Sequence, residues 1–300
     1  MIVLENVRKA INGKEVLRGI TLTVKPGEVH AYLGHNGAGK TTTFRIILGL
    51  LVPDSGRVEV LGVNPLKSPE VRARIGYLPE YDLLYPNLTV RDNLQRYALL
   101  KGVHDEKEIE KLIEFFELSE YADKKVSSLS SGTQRRAAIA RAFLGSPEVL
   151  ILDEPTKGLD PEWRLKFKRF LREYAKGRGA SVVFSTHILS DVDEVCERVT
   201  VIKEGRVLFS GNLEEFRKSA PAGKGAIVKV EEQKRAMNVL REKGYALRIV
   251  GGYIIVEDAE PAELNRLLVS RGITVEEIKR NEPTLEEIYT MLHRRDERRE

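Results

Sequence analysis

The sequence predicts an α/β fold: a mostly parallel sheet with an antiparallel β flank and a helical insertion, followed by a small α+β domain. Three observations carry this. Through the first ~220 residues, short apolar runs alternate with helix-period stretches. The runs at 29–33, 149–152 and 181–184 are nearly continuous, as in parallel strands covered by helices on both faces. Beyond Lys218 the pattern changes to strand-helix-strand-strand-helix-strand, the order of a split βαβ unit.

The elements follow in chain order. Met1-Ile2-Val3-Leu4-Glu5 reads as a strand rather than a charged leader. Residues 16–24 and 28 onward read as shorter, partly antiparallel strands. Strand signals stop between Tyr85 and Ser128. There, Thr89-Val90-Arg91-Asp92 has the form of a capping box, and 93–100 continues as a helix. Ile109, Leu112, Ile113 and Phe116 recur at helical spacing, an apolar stripe expected to pack internally. This helical insertion spans about 85–145 of a first domain, 1–218. Ser219-Ala220-Pro221-Ala222-Gly223-Lys224-Gly225 reads as a linker. The second domain, 226–300, is expected to be ferredoxin-like. Its strands fall at 226–230, 245–250, 253–256 and 273–278, and its helices at 232–243 and 262–271. Gly251-Gly252 marks a hairpin. A capped helix at 284–293 precedes a charged tail, 294–300, expected to fray.

Composition narrows the function classes. The chain has 300 residues, enough for two domains at about 100–200 residues each. The 49 basic and 45 acidic residues nearly cancel, without the basic excess of a dedicated nucleic-acid binder. The single cysteine, Cys196, excludes an intrachain disulfide, fits a cytosolic setting and reads as a small core residue. No window approaches the ~18 apolar residues of a membrane span.

Gly34-His35-Asn36-Gly37-Ala38-Gly39-Lys40-Thr41 matches G-x-x-x-x-G-K-[ST] between a buried strand and a helix. Glycines let backbone N–H groups curl around phosphate oxygens, and the helix N-terminus adds partial positive charge. Lys40 supplies a charge to the β- and γ-phosphates, and the Thr41 hydroxyl suits Mg²⁺. Val149-Leu150-Ile151-Leu152-Asp153-Glu154 is an apolar strand ending in two acids beside that loop. Asp153 suits Mg²⁺, and Glu154 can orient or deprotonate an attacking water. These motifs mark the sheet of a P-loop nucleoside triphosphatase. No Asn-Lys-x-Asp guanine-reading motif is present, which disfavours GTP.

Three further elements narrow the reading. Leu129-Ser130-Ser131-Gly132-Thr133-Gln134 opens a helix ahead of Asp153, and alone it is an ordinary N-cap. Lys157-Gly158-Leu159-Asp160 follows the two acids. Ser185-Thr186-His187 ends the next buried strand, and a lone His there is usually structural.

In this order the five elements resemble the ATP-binding subunit of ATP-binding cassette (ABC) transporters over residues 1–215. Residues 34–41 look like its Walker A, 129–134 its signature, 149–154 its Walker B and 157–160 its D-loop, with His187 as its switch histidine. The resemblance implies a head-to-tail homodimer with each ATP between Walker A of one subunit and the signature of the other. By it, Ser130 and Gly132 contact the γ-phosphate in trans, and His187 holds γ-phosphate and water in line with Glu154. Thr42 and Asp160 join the nucleotide-binding set. Glu80 of Gly76-Tyr77-Leu78-Pro79-Glu80 stands where a glutamine usually faces Mg²⁺ and the water. Ser131 and Thr133 replace a glycine and the glutamine of the signature, and Ile11 stands where an aromatic ring usually stacks on adenine.

The C-terminal part, ending Glu282-Pro283-Thr284-Leu285-Glu286-Glu287-Ile288-Tyr289, is similar to the drug, polysaccharide and lipid exporter branch. The implied protein is an ATPase subunit at the cytoplasmic face of the membrane, driving export through a separate permease, with no nucleic-acid partner. The rival is a soluble ABC-type ATPase acting on nucleic acid or ribosomes. Such proteins usually carry a long coiled-coil insertion or two cassettes, and this sequence has neither.

Overall fold

The computed structural model describes residues 1–219 and 225–297. Most of the expected linker, and the last three residues of the expected tail, lie outside the described residues. The chain forms two compact units, Met1–Leu213 and Glu214–Glu300.

The first unit begins with β1 (Ile2–Ile11), β2 (Lys14–Val24), β3 (Val29–Leu33), α1 (Lys40–Ile47), β4 (Ser55–Val60), α2 (Pro69–Ala73) and β5 (Ile75–Leu78). The helices α3 (Val90–Leu100), α4 (Glu106–Phe115) and α5 (Ser131–Ala142) follow. It closes with β6 (Val149–Asp153), α6 (Pro161–Arg178), β7 (Ser181–Ser185), α7 (Leu189–Val195), β8 (Arg198–Lys203) and β9 (Arg206–Asn212).

The flanking sheet has the order β2-β1-β4, antiparallel throughout. Its strands β1 and β2 run 10 and 11 residues, longer than the sequence predicts. Register shifts at Leu4/Val7 and Lys9/Ala10 break the alternation and make each strand read as shorter pieces. The central sheet has the order β5-β6-β7-β3-β8-β9, parallel except for β9. The strand after Glu28 therefore belongs to the parallel sheet, not to the antiparallel flank. Every residue of β3, β6 and β7 is buried, which explains their apolar runs. Parallel pairing brings the C-terminal ends of β3, β5, β6 and β7 to one edge, with Asp153 beside Ser185 and Ser185 beside Tyr32.

The expected capping box is present: Thr89 accepts from Asp92 N–H and Asp92 accepts from Thr89 N–H. On α4, Ile109 and Ile113 are buried, and Phe116 just beyond it packs against Phe143, Trp163 and Phe170. The apolar stripe is thus internal, as expected. Cys196 is buried and unbridged.

The second unit comprises α8 (Leu213–Lys218), which starts at the boundary, then β10 (Gly225–Val230), α9 (Gln233–Glu242), β11 (Leu247–Val250) and β12 (Tyr253–Glu257). It ends with α10 (Pro261–Ser270), β13 (Val275–Arg280) and α11 (Leu285–Glu297). Its sheet, β11-β12-β10-β13, is antiparallel throughout, and its core joins Val228, Leu240, Ile254 and Leu264. Val250 pairs with Tyr253 across Gly251-Gly252, both with positive φ, as the hairpin requires.

Two strands start later than the sequence predicts. Tyr245 and Ile273 spend their N–H groups on Leu240 O and Leu268 O, closing α9 and α10 behind the left-handed glycines Gly244 and Gly272. The tail prediction also needs correction. Residues 294–297 continue α11, in keeping with the helix propensity of Arg and Glu.

Candidate functional site

The loop after β3 folds around glycines. At Gly39 the backbone has φ 108°, and a Cβ there would stand 2.6 Å from Leu17 Cδ2. At Gly34 a Cβ would meet Ile202 O at 2.7 Å. Ala38 is buried, whereas His35, Asn36 and Gly37 are exposed along the rim. Gly39 caps α1 without a side chain, so no side chain occupies the first-turn N–H groups that would face an anion. Lys40 opens the helix, and its ammonium lies in the loop, donating to Gly34 O at 2.5 Å and His35 O at 3.3 Å. Burial lowers the Lys40 pKa, against the opposing pull of Glu154, Asp153 and Glu80. Thr42 follows, half-buried, on the first turn.

At the end of β6, Asp153 is buried. It accepts from Ser185 Oγ on one oxygen and from Thr41 Oγ1, at 3.3 Å, on the other. Burial raises the Asp153 pKa. A buried carboxylate and a hydroxyl in contact are an oxygen set that fits a hard cation such as Mg²⁺. Glu154 is held in a left-handed conformation, φ 50°, by N–H donation to Ser185 Oγ at 3.0 Å and Ser185 O at 3.2 Å. A non-glycine residue adopts this conformation only when its surroundings hold it there. The turn carries its carboxylate to His187, whose Nδ1 lies 2.9 Å from Glu154 Oε2. Glu80 lies on the segment after β5, with its carboxylate 2.8 Å from Lys157 Nζ.

Ser130 is the N-cap of α5 and accepts from Thr133 N–H, so within one chain the ordinary capping role is filled. A Cβ on Gly132 would come 3.3 Å from Gly158 O, so the start of α5 packs closely on the Lys157–Asp160 turn. Asp160 caps α6 through Trp163 N–H at 2.9 Å.

Sequence reasoning missed Arg135. It is buried on α5 and donates to Pro79 O, Glu80 O, Asp82, Asp153 O and Glu154 O. One guanidinium thus joins the helix after Ser130 to the Glu80 segment and to both acids. Its place in the run Gln134-Arg135-Arg136 gave no signal, because a basic helix face normally points to water. Asp191 was also missed. It is fully buried and accepts from Thr156 Oγ1 and Arg164, linking the turn after Glu154 to α6 and α7.

Comparison with known proteins gives the family. The family model described as ABC transporter matches residues 17–157. The bacitracin transport ATP-binding protein BcrA of Bacillus licheniformis is 34% identical, over 96% of this chain and 95% of its own. The chain belongs to the ATP-binding subunits of ABC transporters. The Nod factor export ATP-binding protein I of Paraburkholderia xenovorans is 40% identical over 69% of each chain. Among solved structures, an ATP-binding subunit of an ABC transporter superposes with a TM-score of 0.68 at 32% identity, covering 73% of this chain and 92% of that one. A dimeric post-hydrolysis cassette bound to ADP and Pi gives 0.65 at 28% identity, covering 71% and 99%. This ABC subunit is an ATPase: it binds ATP and hydrolyses it. Among the described residues, no helix is long and apolar enough to cross a membrane.

Proposed function

We propose that this ABC subunit drives export through a separate membrane permease, working at the cytoplasmic face as a head-to-tail pair of copies that ATP closes and hydrolysis reopens. The observation that carries the catalytic part is the Glu154–His187 contact at the sheet edge that also bears Lys40 and Asp153. Lys40 would donate to the β- and γ-phosphates in place of the Gly34 and His35 carbonyls. Backbone N–H groups of residues 34–41, with Thr42, would cradle the phosphates. Thr41, Asp153 and Glu80 would hold Mg²⁺, which when bound neutralises phosphate charge. Glu154 takes the proton of the attacking water. His187 holds Glu154 through Nδ1, leaving Nε2 as the nitrogen for the γ-phosphate. Ser130, Gly132 and Asp160 would complete the site of the second copy, and closing on ATP alone supplies the differential affinity that a switch needs.

The relatives support export. BcrA is named for bacitracin transport, and the protein from Paraburkholderia for Nod factor export. The solved dimeric cassettes support pairing. The near-balanced charge gives no support to a nucleic-acid partner. The test is to tag the chain in its own cells, solubilise the membranes in mild detergent and identify what copurifies. A polytopic membrane protein, released when ATPase-active complexes are dissociated, is the expected result. Ribosomes or nucleic acid in its place would overturn the reading.

A further inference from the structure

Glu80 brings a third negative charge within electrostatic reach of Asp153 and Lys40. Its charge acts on its neighbours: it helps raise the Asp153 pKa and opposes the lowering of the Lys40 pKa. Lys40 and Arg135 act on Glu80 by charge, without a side-chain hydrogen bond to its carboxylate. The counter-charge comes from Lys157, whose Nζ lies 2.8 Å from Glu80 Oε1. That hydrogen bond is the main cause holding the Glu80 carboxyl below its usual range.

The two side chains meet on a fixed frame. Glu80 O accepts from Arg135, and Lys157 N–H donates to Glu154 O at 3.1 Å. The pair itself is solvated, with side chains 54% and 39% exposed for Lys157 and Glu80. Exposed ion pairs are individually weak and exchange partners readily, so a divalent cation can take this carboxylate from the ammonium.

We propose that Lys157 is a positioning residue that competes with Mg²⁺ for the Glu80 carboxylate, and so sets the metal concentration at which the site loads. This rests on the reading of Glu80 as a metal neighbour.

The test is Mn²⁺ binding, followed by electron paramagnetic resonance, to protein in excess over a non-hydrolysable ATP analogue. The proteins are wild type, Lys157→Gln, Glu80→Gln and the double variant, with Lys157→Arg as the variant that keeps the ion pair. Lys157→Gln is expected to lower the Mn²⁺ dissociation constant about 3- to 5-fold. Glu80→Gln should raise it, the double variant should match Glu80→Gln, and Lys157→Arg should match wild type. An equal effect of Lys157→Gln in wild type and on top of Glu80→Gln would mean general electrostatics and overturn the proposal alone. No effect, or weaker Mn²⁺ binding, in Lys157→Gln would overturn it too. Wild-type affinity in Glu80→Gln would overturn both the proposal and the metal reading of Glu80.

Discussion

His187 Nδ1 lies 2.9 Å from Glu154 Oε2, and the two residues follow the ends of adjacent parallel strands. Neither position is a matter of side-chain reach alone. Ser185 holds the Glu154 backbone in its left-handed turn, and that turn aims the carboxylate across to β7. The imidazole is 64% exposed, so the carboxylate anchors it while its other nitrogen stays open to a ligand.

Glu154→Gln is therefore expected to bind ATP normally and to lose at least ~100-fold in turnover, since glutamine cannot accept the water's proton. His187→Ala should lose a comparable factor through disorder of the same carboxylate. Nucleotide-binding calorimetry and phosphate release measure the two quantities separately. Normal turnover in Glu154→Gln would move the base elsewhere.

Arg135 should be among the costliest substitutions outside the phosphate loop. Arg135→Met takes the guanidinium from half-buried Asp82 and from the carbonyls of Pro79, Glu80, Asp153 and Glu154, of which Glu154 keeps the Lys157 N–H, a loss of about 2–4 kcal/mol. Urea unfolding should show a lower midpoint with unchanged slope. Turnover should fall more than ATP affinity, because the Glu154 backbone loses its support. Arg135→Lys should recover only part, since one ammonium cannot bridge both segments. An unfolding free energy within ~0.5 kcal/mol of wild type for Arg135→Met would contradict this role.

Gly76→Ala tests how the signature helix is seated. A Cβ at Gly76 would stand 2.2 Å from Ala142 O at the far end of α5, and 2.9 Å from Pro147 Cγ. The helix must shift or β5 must bend, at a cost of about 1–3 kcal/mol. Unchanged thermal stability in Gly76→Ala would mean that the two elements are not in this contact.

Much of the site was legible because its chemistry forces patterns. A loop that wraps phosphate needs glycines at 34, 37 and 39, and the apolar run of a strand buried on both faces makes the acid at its end, Asp153, stand out. Arg135, Ser185 and Asp191 were not legible, for a different reason. Each acts through buried hydrogen bonds to segments distant in sequence, and a polar residue in a helix or strand carries no mark of such partners. The flank was misread in length because bulges interrupt the alternation that signals a strand. Lys157 was read for its place in a motif, while its pairing with Glu80 depends on the fold.

The central claim is that two copies share each ATP, and mixing two inactive variants tests it most directly. Lys40→Ala removes the phosphate-facing charge, and Ser130→Arg places bulk at the start of α5. If sites form across copies, a mixed pair has one site with both lesions and one with neither. Purified variants, each inactive alone, are mixed, the mixed pair is confirmed by differential tags, and vanadate trapping of nucleotide is counted. Trapping at half of the sites in mixed pairs, and none in either variant alone, is the predicted result. No trapping in confirmed mixed pairs would contradict the account, because each copy would then be using its own Ser130.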